Sequence, residues 1–160
     1  MTMMGTPISI IKNILTKTER KKLIKDGQPF LEKLGENYPA LQTKSNLITY
    51  PQFHNPIGKV AFRAQKAIGR SLNIERVWIN KDDGRKEDIF WHCHEGCDYS
   101  LVYYMQTIPF INSGTWFRGK FVRVPQNGAM IFPSSLEHTA PTYPFPWFKR
   151  YSMAIDFKVV

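Results

Sequence analysis

Ile74-Glu75-Arg76-Val77-Trp78-Ile79-Asn80 marks the point at which this 160-residue chain changes its hydrophobic period. Upstream, apolar residues recur at helical spacing; from here onward they recur every second residue, the spacing of a strand. Further period-two runs follow at residues 89–94, 100–106, 115–117, 120–124, 129–132 and 150–159, and Asp82-Asp83-Gly84 reads as a hairpin turn. Many short strands in succession predict a sandwich or barrel. The expected fold is α+β: a double-stranded β-helix, or jelly roll, with N-terminal helices packed on its outside.

The helices are read from their ends. Thr16-Lys17-Thr18-Glu19 has the form of a capping box, in which the Thr16 hydroxyl and the Glu19 carboxylate satisfy free amides reciprocally. That predicts a helix to about Lys25, stopped at Gly27. Pro29 is suited to open a second, short helix ending near Gly35, and residues 38–51 read as irregular. A third helix, capped by Asn55 and opened by Pro56, would turn Ile57, Val60, Ala64, Ala67, Ile68 and Leu72 towards the sheet. With no repeat, low-complexity segment or linker, residues 1–160 are expected to form one domain. Residues 1–73 would be mostly helical support, and 74–160 the jelly-roll half that carries the chemistry.

Composition narrows the class. Hydrophobic residues make up 42% and aromatics 14% of the chain, enough for a globular core. No run of about 18 apolar residues occurs, so no membrane-spanning helix is expected. The N-terminus lacks a basic start and a small-residue cleavage site, which predicts a cytoplasmic location. Two cysteines, Cys93 and Cys97, do not make a disulfide framework. The net charge of +9 sits mainly in residues 1–75, which hold 12 Lys/Arg against 5 Asp/Glu. A solvated helix face explains that excess better than a nucleic-acid partner does, since no nucleic-acid motif accompanies it.

The residues that carry chemistry lie in the second half. On an extended strand His92 and His94 point to one side, so two imidazoles can bite one metal ion while Cys93 points away. His138, after the turn at Phe132-Pro133-Ser134-Ser135, is the candidate third ligand. Arg150 and Ser152 share a strand face, and a guanidinium fork beside a hydroxyl suits a carboxylate. Trp78 and Asn80 share a face near the same site and are weaker candidates for substrate contact. A structural ion pair at Arg150 and a packed core role for Trp78 are the plainer alternatives.

Taken together, His92-Cys93-His94, Tyr99 to Tyr104, Pro125…Gly128 to Ser134, His138 and Arg150-Tyr151-Ser152 resemble the catalytic half of the 2-oxoglutarate- and iron(II)-dependent dioxygenases. The similarity is to small prolyl-hydroxylase-like members, including phage-encoded ones, and spans roughly residues 74–160. The resemblance implies a jelly roll that binds Fe(II) through His92 and His138 and holds the 2-oxoglutarate carboxylate at Arg150, with Ser152 and Tyr104 as helpers. It implies oxidative decarboxylation of 2-oxoglutarate to succinate and CO2, coupled to hydroxylation of a substrate. In that family the second ligand is ordinarily Asp or Glu; here it is His94, which leaves the metal one negative charge short. Asp98, four residues on, is the alternative ligand.

Three other readings compete. A cupin-type three-histidine metalloprotein would share the fold but leave Arg150 and Ser152 without a role. Zinc on His92, Cys93, His94 and Cys97 would need ligands from opposite faces of one strand. A non-catalytic jelly roll, a binding or viral structural module, would keep these residues without turnover. A small-molecule or peptidyl substrate is expected; oligomeric state is not legible.

Overall fold

The alternation that begins at Ile74 becomes three adjacent strands with two chemically different faces. A computed structural model describes residues 7–33, 40–82, 91–141 and 147–160. In it β4 (Leu72–Asp82), β5 (Tyr99–Gln106) and β10 (Arg150–Val159) lie side by side with β10 in the centre, antiparallel to both. Odd-numbered residues of these strands, among them Val77, Ile79, Leu101, Tyr103, Met153, Ile155 and Phe157, are buried in the main core. Even-numbered residues of β5, of β10 and of β4 from Arg76 onward face the other way, towards a second sheet; before the register shift in β4, Leu72 and Ile74 belong to the core side. Each fully buried aliphatic or aromatic side chain on the core face stabilises the fold by about 1.5–3 kcal/mol, so the register of these strands is strongly specified.

Among the described residues, ten strands form two antiparallel sheets. The larger has the order β1-β8-β5-β10-β4-β3-β2, with β1 (Ser9–Ile11), β2 (Leu31–Lys33), β3 (Leu41–Thr43) and β8 (Ala129–Pro133) completing it. The smaller has the order β7-β6-β9, from β6 (Gly114–Phe117), β7 (Lys120–Arg123) and β9 (His138–Thr139). Tyr104, Phe117, Val124, Met130 and Phe132 fill part of the space between them. Two facing antiparallel sheets with helices on the outside are the expected double-stranded β-helix.

The helices cover the opposite side of the large sheet. In α1 (Lys17–Gly27) both halves of the capping box form: Glu19 N–H donates to Thr16 Oγ1 at 3.1 Å, and Thr16 N–H donates to Glu19 Oε2 at 2.8 Å. Such a cap contributes about 1 kcal/mol. Gly27 allows the helix end to close on β4, where an added Cβ would come within 2.8 Å of Ile79 Cδ1. Helix α2 (His54–Ile68) buries Ile57, Val60, Ala61 and Ala64, so Ala61 takes the core place expected of Ala67, which is exposed.

Other expectations are corrected. Asn55 does not cap α2. The helix starts at His54, because a 3-10 turn at Pro51–Phe53 runs directly into it and already pairs the first amides. Pro29 opens no second helix: a single 3-10 turn at Gln28–Phe30 gives way to β2. Residues 38–51 are not simply irregular, since β3 and a 3-10 turn at Leu47–Thr49 lie within them. The first 73 residues are thus more than helical support; they supply β1, β2 and β3 at the margins of the large sheet. The hairpin expected at Asp83-Gly84 and the start of the strand expected at residues 89–94 fall outside the described residues. Of that strand, His92 forms a single antiparallel bridge to His138.

The turn before β8 fastens this framework to the N-terminal segment. Gly128 N–H closes the turn on Pro125 O at 2.9 Å. A Cβ there would lie 2.8 Å from that oxygen and 2.9 Å from Ile11 O, so only glycine lets β1 pass this close. Asn127, at φ 65°, accepts from Leu15 N–H at 3.0 Å and from the Tyr103 hydroxyl at 2.6 Å.

Candidate active site

The polar faces of β4 and β10 pair residue by residue. Arg150 lies opposite Asp82, Ser152 opposite Asn80, Ala154 opposite Trp78, and Asp156 opposite Arg76. On the other side of β10, Ser152 meets Tyr104, Ala154 meets Val102, and Asp156 meets Ser100. These rows form the wall of a cavity of about 360 Å³ between the sheets, within the size range of small-molecule sites. Thr115 of β6 and His138 of β9 line it from the smaller sheet, and His92 and His94 line its metal end. Ala154, the small residue in the middle row, leaves room between Trp78 and Val102.

Three histidines converge. His92, His94 and His138 each offer a ring nitrogen, and these atoms lie within 4.8 Å of one another. The backbone places them: His92 and His138 exchange N–H to O bonds of 3.1 and 2.9 Å, and His94 N–H donates to Ser134 O at 2.9 Å. His138 Nδ1 lies 2.9 Å from Leu136 O. A carbonyl only accepts, so Nδ1 carries the proton and Nε2 offers its lone pair. Burial pulls the His138 pKa down to about 4, against the neighbouring carbonyl that acts to raise it; the ring is neutral at pH 7. On the opposite side of the trio, His94 Nδ1 is 2.7 Å from Asp156 Oδ1 and 3.0 Å from Ser100 Oγ.

Three converging imidazoles, with Nδ1 of His94 and of His138 tied outward, fit a divalent transition metal. Asp98 does not join them. Its carboxylate accepts from Val159 N–H at 2.8 Å and its side chain is exposed, which corrects the expectation that it might replace His94. The mixed Cys/His zinc arrangement also fails. Cys93 is exposed, and the Cys97 thiol donates to Ser134 Oγ at 3.1 Å while burial pushes its pKa up.

The other end of the cavity is built around Arg150, which is 2% exposed. Its Nη1 donates to Asp82 Oδ2 at 3.0 Å, its Nε to Asn112 O at 2.8 Å, and its Nη2 to Gly114 O at 3.3 Å. The guanidinium also lies over the Tyr104 ring, 5.5 Å from its centroid. Tyr104 itself does not reach the cavity. Its hydroxyl is bonded to Thr115 Oγ1, and Thr115 provides the lining hydroxyl in its place. Burial pushes the Tyr104 pKa up to about 12, so it stays a neutral phenol.

Trp78 and Asn80 both line the cavity. The Trp78 ring lies tilted at 44° to the His94 ring, centroids 5.4 Å apart, with the Arg76 guanidinium 4.9 Å from the Trp78 ring centroid, and Asn80 Oδ1 accepts from Gln42 Nε2 at 2.6 Å. Sequence reasoning missed Asp82, Thr115, Gln42, Arg76 and Asp156. For Asp156 a signal existed: it continues the two-residue step Arg150, Ser152, Ala154 and is the one acid in the strand. The proline-rich link from Pro141 to Trp147 lies mostly outside the described residues.

No family model and no curated protein matches the chain. Solved structures do. A viral collagen prolyl hydroxylase from Paramecium bursaria Chlorella virus-1, in complex with 2-oxoglutarate, aligns over 100% of both chains at 14% identity and TM-score 0.70. The α-ketoglutarate-dependent epimerase SnoN of nogalamycin biosynthesis aligns over 96% of this chain and 78% of its own at 8% identity and TM-score 0.78. HygX from Streptomyces hygroscopicus, with nickel and 2-oxoglutarate bound, aligns over 96% and 83% at 12% identity and TM-score 0.69. At such identities the likeness establishes the fold, the double-stranded β-helix of the 2-oxoglutarate oxygenases.

Proposed function

We propose that this chain is an Fe(II)- and 2-oxoglutarate-dependent oxygenase acting on a small-molecule or peptidyl substrate. The observation that carries this reading is the convergence of His92, His94 and His138 in the same cavity as Arg150, Ser152 and Thr115. Dioxygen would be the oxidant and 2-oxoglutarate the two-electron donor, on iron held by the three histidines: one oxygen atom of O2 would go into succinate as CO2 leaves, and the other into a substrate C–H bond to give a hydroxyl. The protein's part is to hold and orient. His92, His94 and His138 would hold the metal through ring nitrogens, His94 and His138 through Nε2, since their Nδ1 atoms are engaged elsewhere. Arg150 and Ser152 anchor the distal carboxylate of the co-substrate, and Tyr104 acts through Thr115. Trp78, Val102 and Ala154 keep the reacting region dry, and Trp78 and Asn80 contact the substrate.

The test is direct. Anaerobic protein should take up one Fe(II) or Ni(II) per chain, bind 2-oxoglutarate only with metal present, and convert it slowly to succinate in air. Absence of metal uptake by folded protein would sink the reading. A non-catalytic metal-binding jelly roll is the second reading, favoured by the Asp82 carboxylate already paired with Arg150. It is selected if metal binds but 2-oxoglutarate does not.

No helix among the described residues is long and apolar enough to cross a membrane. The exposed lysines Lys17, Lys21, Lys22, Lys25, Lys59 and Lys66 lie on the helices, which cover the sheet face opposite the cavity. The basic excess of the N-terminal half therefore argues for a solvated surface and not for nucleic acid at the site.

A further inference from the structure

We propose that Asp156 is the missing carboxylate of the metal centre, acting through His94. The inference rests on the metal-binding reading above. Three imidazoles carry no charge, so a site of this kind lacks the anion that a directly ligating Asp or Glu supplies. Asp156 stands where it can supply it at one remove. Its Oδ1 is 2.7 Å from His94 Nδ1, and the two side chains are 13% and 14% exposed, so the charge is felt through a poorly screened path. The carboxylate is itself held: Ser100 Oγ, directly across from it on β5, donates to the same Oδ1 at 2.8 Å, and Ser134 Oγ lies 3.0 Å from Ser100 Oγ.

The pair has two consequences. The carboxylate accepts from Nδ1–H, which fixes the tautomer and leaves His94 Nε2 as the atom offered to the metal. It also polarises the ring and raises its strength as a ligand, the effect that outer carboxylates have on metal-bound histidines. The binding unit is then His92, His138 and an Asp156–His94 relay. Asp156 is a positioning residue, since it touches His94 and not the metal.

The competing explanation is mechanical. Residues 91–98 are tied to the sheets by few backbone bonds, and the Asp156–His94 contact could simply be another strut. A double-mutant cycle separates the two, with Ni(II) affinity by calorimetry and the visible spectrum of the Co(II) form as readouts. Asp156→Asn keeps the shape and an acceptor oxygen but removes the charge. It should lower Ni(II) affinity by about 10- to 100-fold and shift the Co(II) absorption bands, with the thermal midpoint of the metal-free protein unchanged. His94→Asp places a carboxylate directly on the metal. In that background Asp156→Asn should cause no loss.

An equal loss in both backgrounds would mean a strut, and no loss in the parent protein would mean no role; either overturns the proposal while leaving the metal site standing. If the unsubstituted chain takes up no Ni(II), the oxygenase reading fails and this inference fails with it. Should Asp156→Asn unfold the protein, His94→Asp with Asp156→Asn still decides. A folded, metal-binding double variant supports the charge role, and an unfolded one marks Asp156 as structural.

Discussion

At one end of the cavity three histidines bring ring nitrogens together, with Nδ1 of His138 tied back to Leu136 O and Nδ1 of His94 to Asp156. At the other end Arg150 is inward-facing too, but Asp82 already lies against its guanidinium at 3.0 Å. Both ends are laid out by the same rows of β4, β10 and β5. The histidine end offers ring nitrogens to a cation, with the Asp156 carboxylate standing behind His94. The anchor end is a closed ion pair, with its carboxylate on the cavity wall. On the proposed function, a co-substrate carboxylate would share Arg150 with Asp82 or displace it, whereas Asp156 would assist the metal through His94.

The contrast can be broken most severely at the metal end. His138→Ala should abolish Ni(II) uptake measured by calorimetry, because the remaining pair lies on one side of the site. Next is Arg150→Ala, which should remove 2-oxoglutarate binding while sparing metal; equal loss of both would refute the division into two ends. It should also destabilise the fold by about 3–5 kcal/mol in urea unfolding, since it breaks the buried Arg150–Asp82 ion pair. Adding Asp82→Ala should recover part of that loss.

The lowered pKa of buried His138 predicts a pH dependence. In metal-free protein the folded-state pKa of His138, about 4, lies below the 6.5 of an unperturbed imidazole. Between these values the unfolded chain binds more protons than the folded one. Stability is thus fully present above pH 6.5 and falls as pH drops towards 4, by about 3 kcal/mol in total. Urea unfolding across that window should show the slope, and His138→Gln should flatten it. The smallest expected effect is at the anchor: Asp82→Asn should tighten 2-oxoglutarate several-fold if Asp82 competes for Arg150. Weaker binding would instead make Asp82 a residue that orients the guanidinium.

Much of the frame was legible because strand burial writes a period of two into the chain. Strand β10 was expected at its observed limits, and β5 and β8 within a residue of theirs. His92, His94, His138, Arg150 and Ser152 were all singled out, and all line one cavity. The helix at Pro29 was misjudged because proline suits a 3-10 turn as well as a helical first turn. The short strands β1, β2 and β3 were missed because three residues are too few to show a period. Tyr104 was assigned to the right wall but the wrong layer, since its hydroxyl stops at Thr115.

By itself the sequence determined the strand faces, the side of β10 on which Arg150 and Ser152 stand, and the identity of three metal-ligand candidates, because alternation and residue chemistry are local properties. Only the tertiary structure decided the partners. Register across β4 and β5 set Asp82 against Arg150 and Ser100 against Asp156, and the fold brought His94 back onto Asp156 from 62 residues away. Those pairings are long-range, and the charge balance of each end of the cavity depends on them.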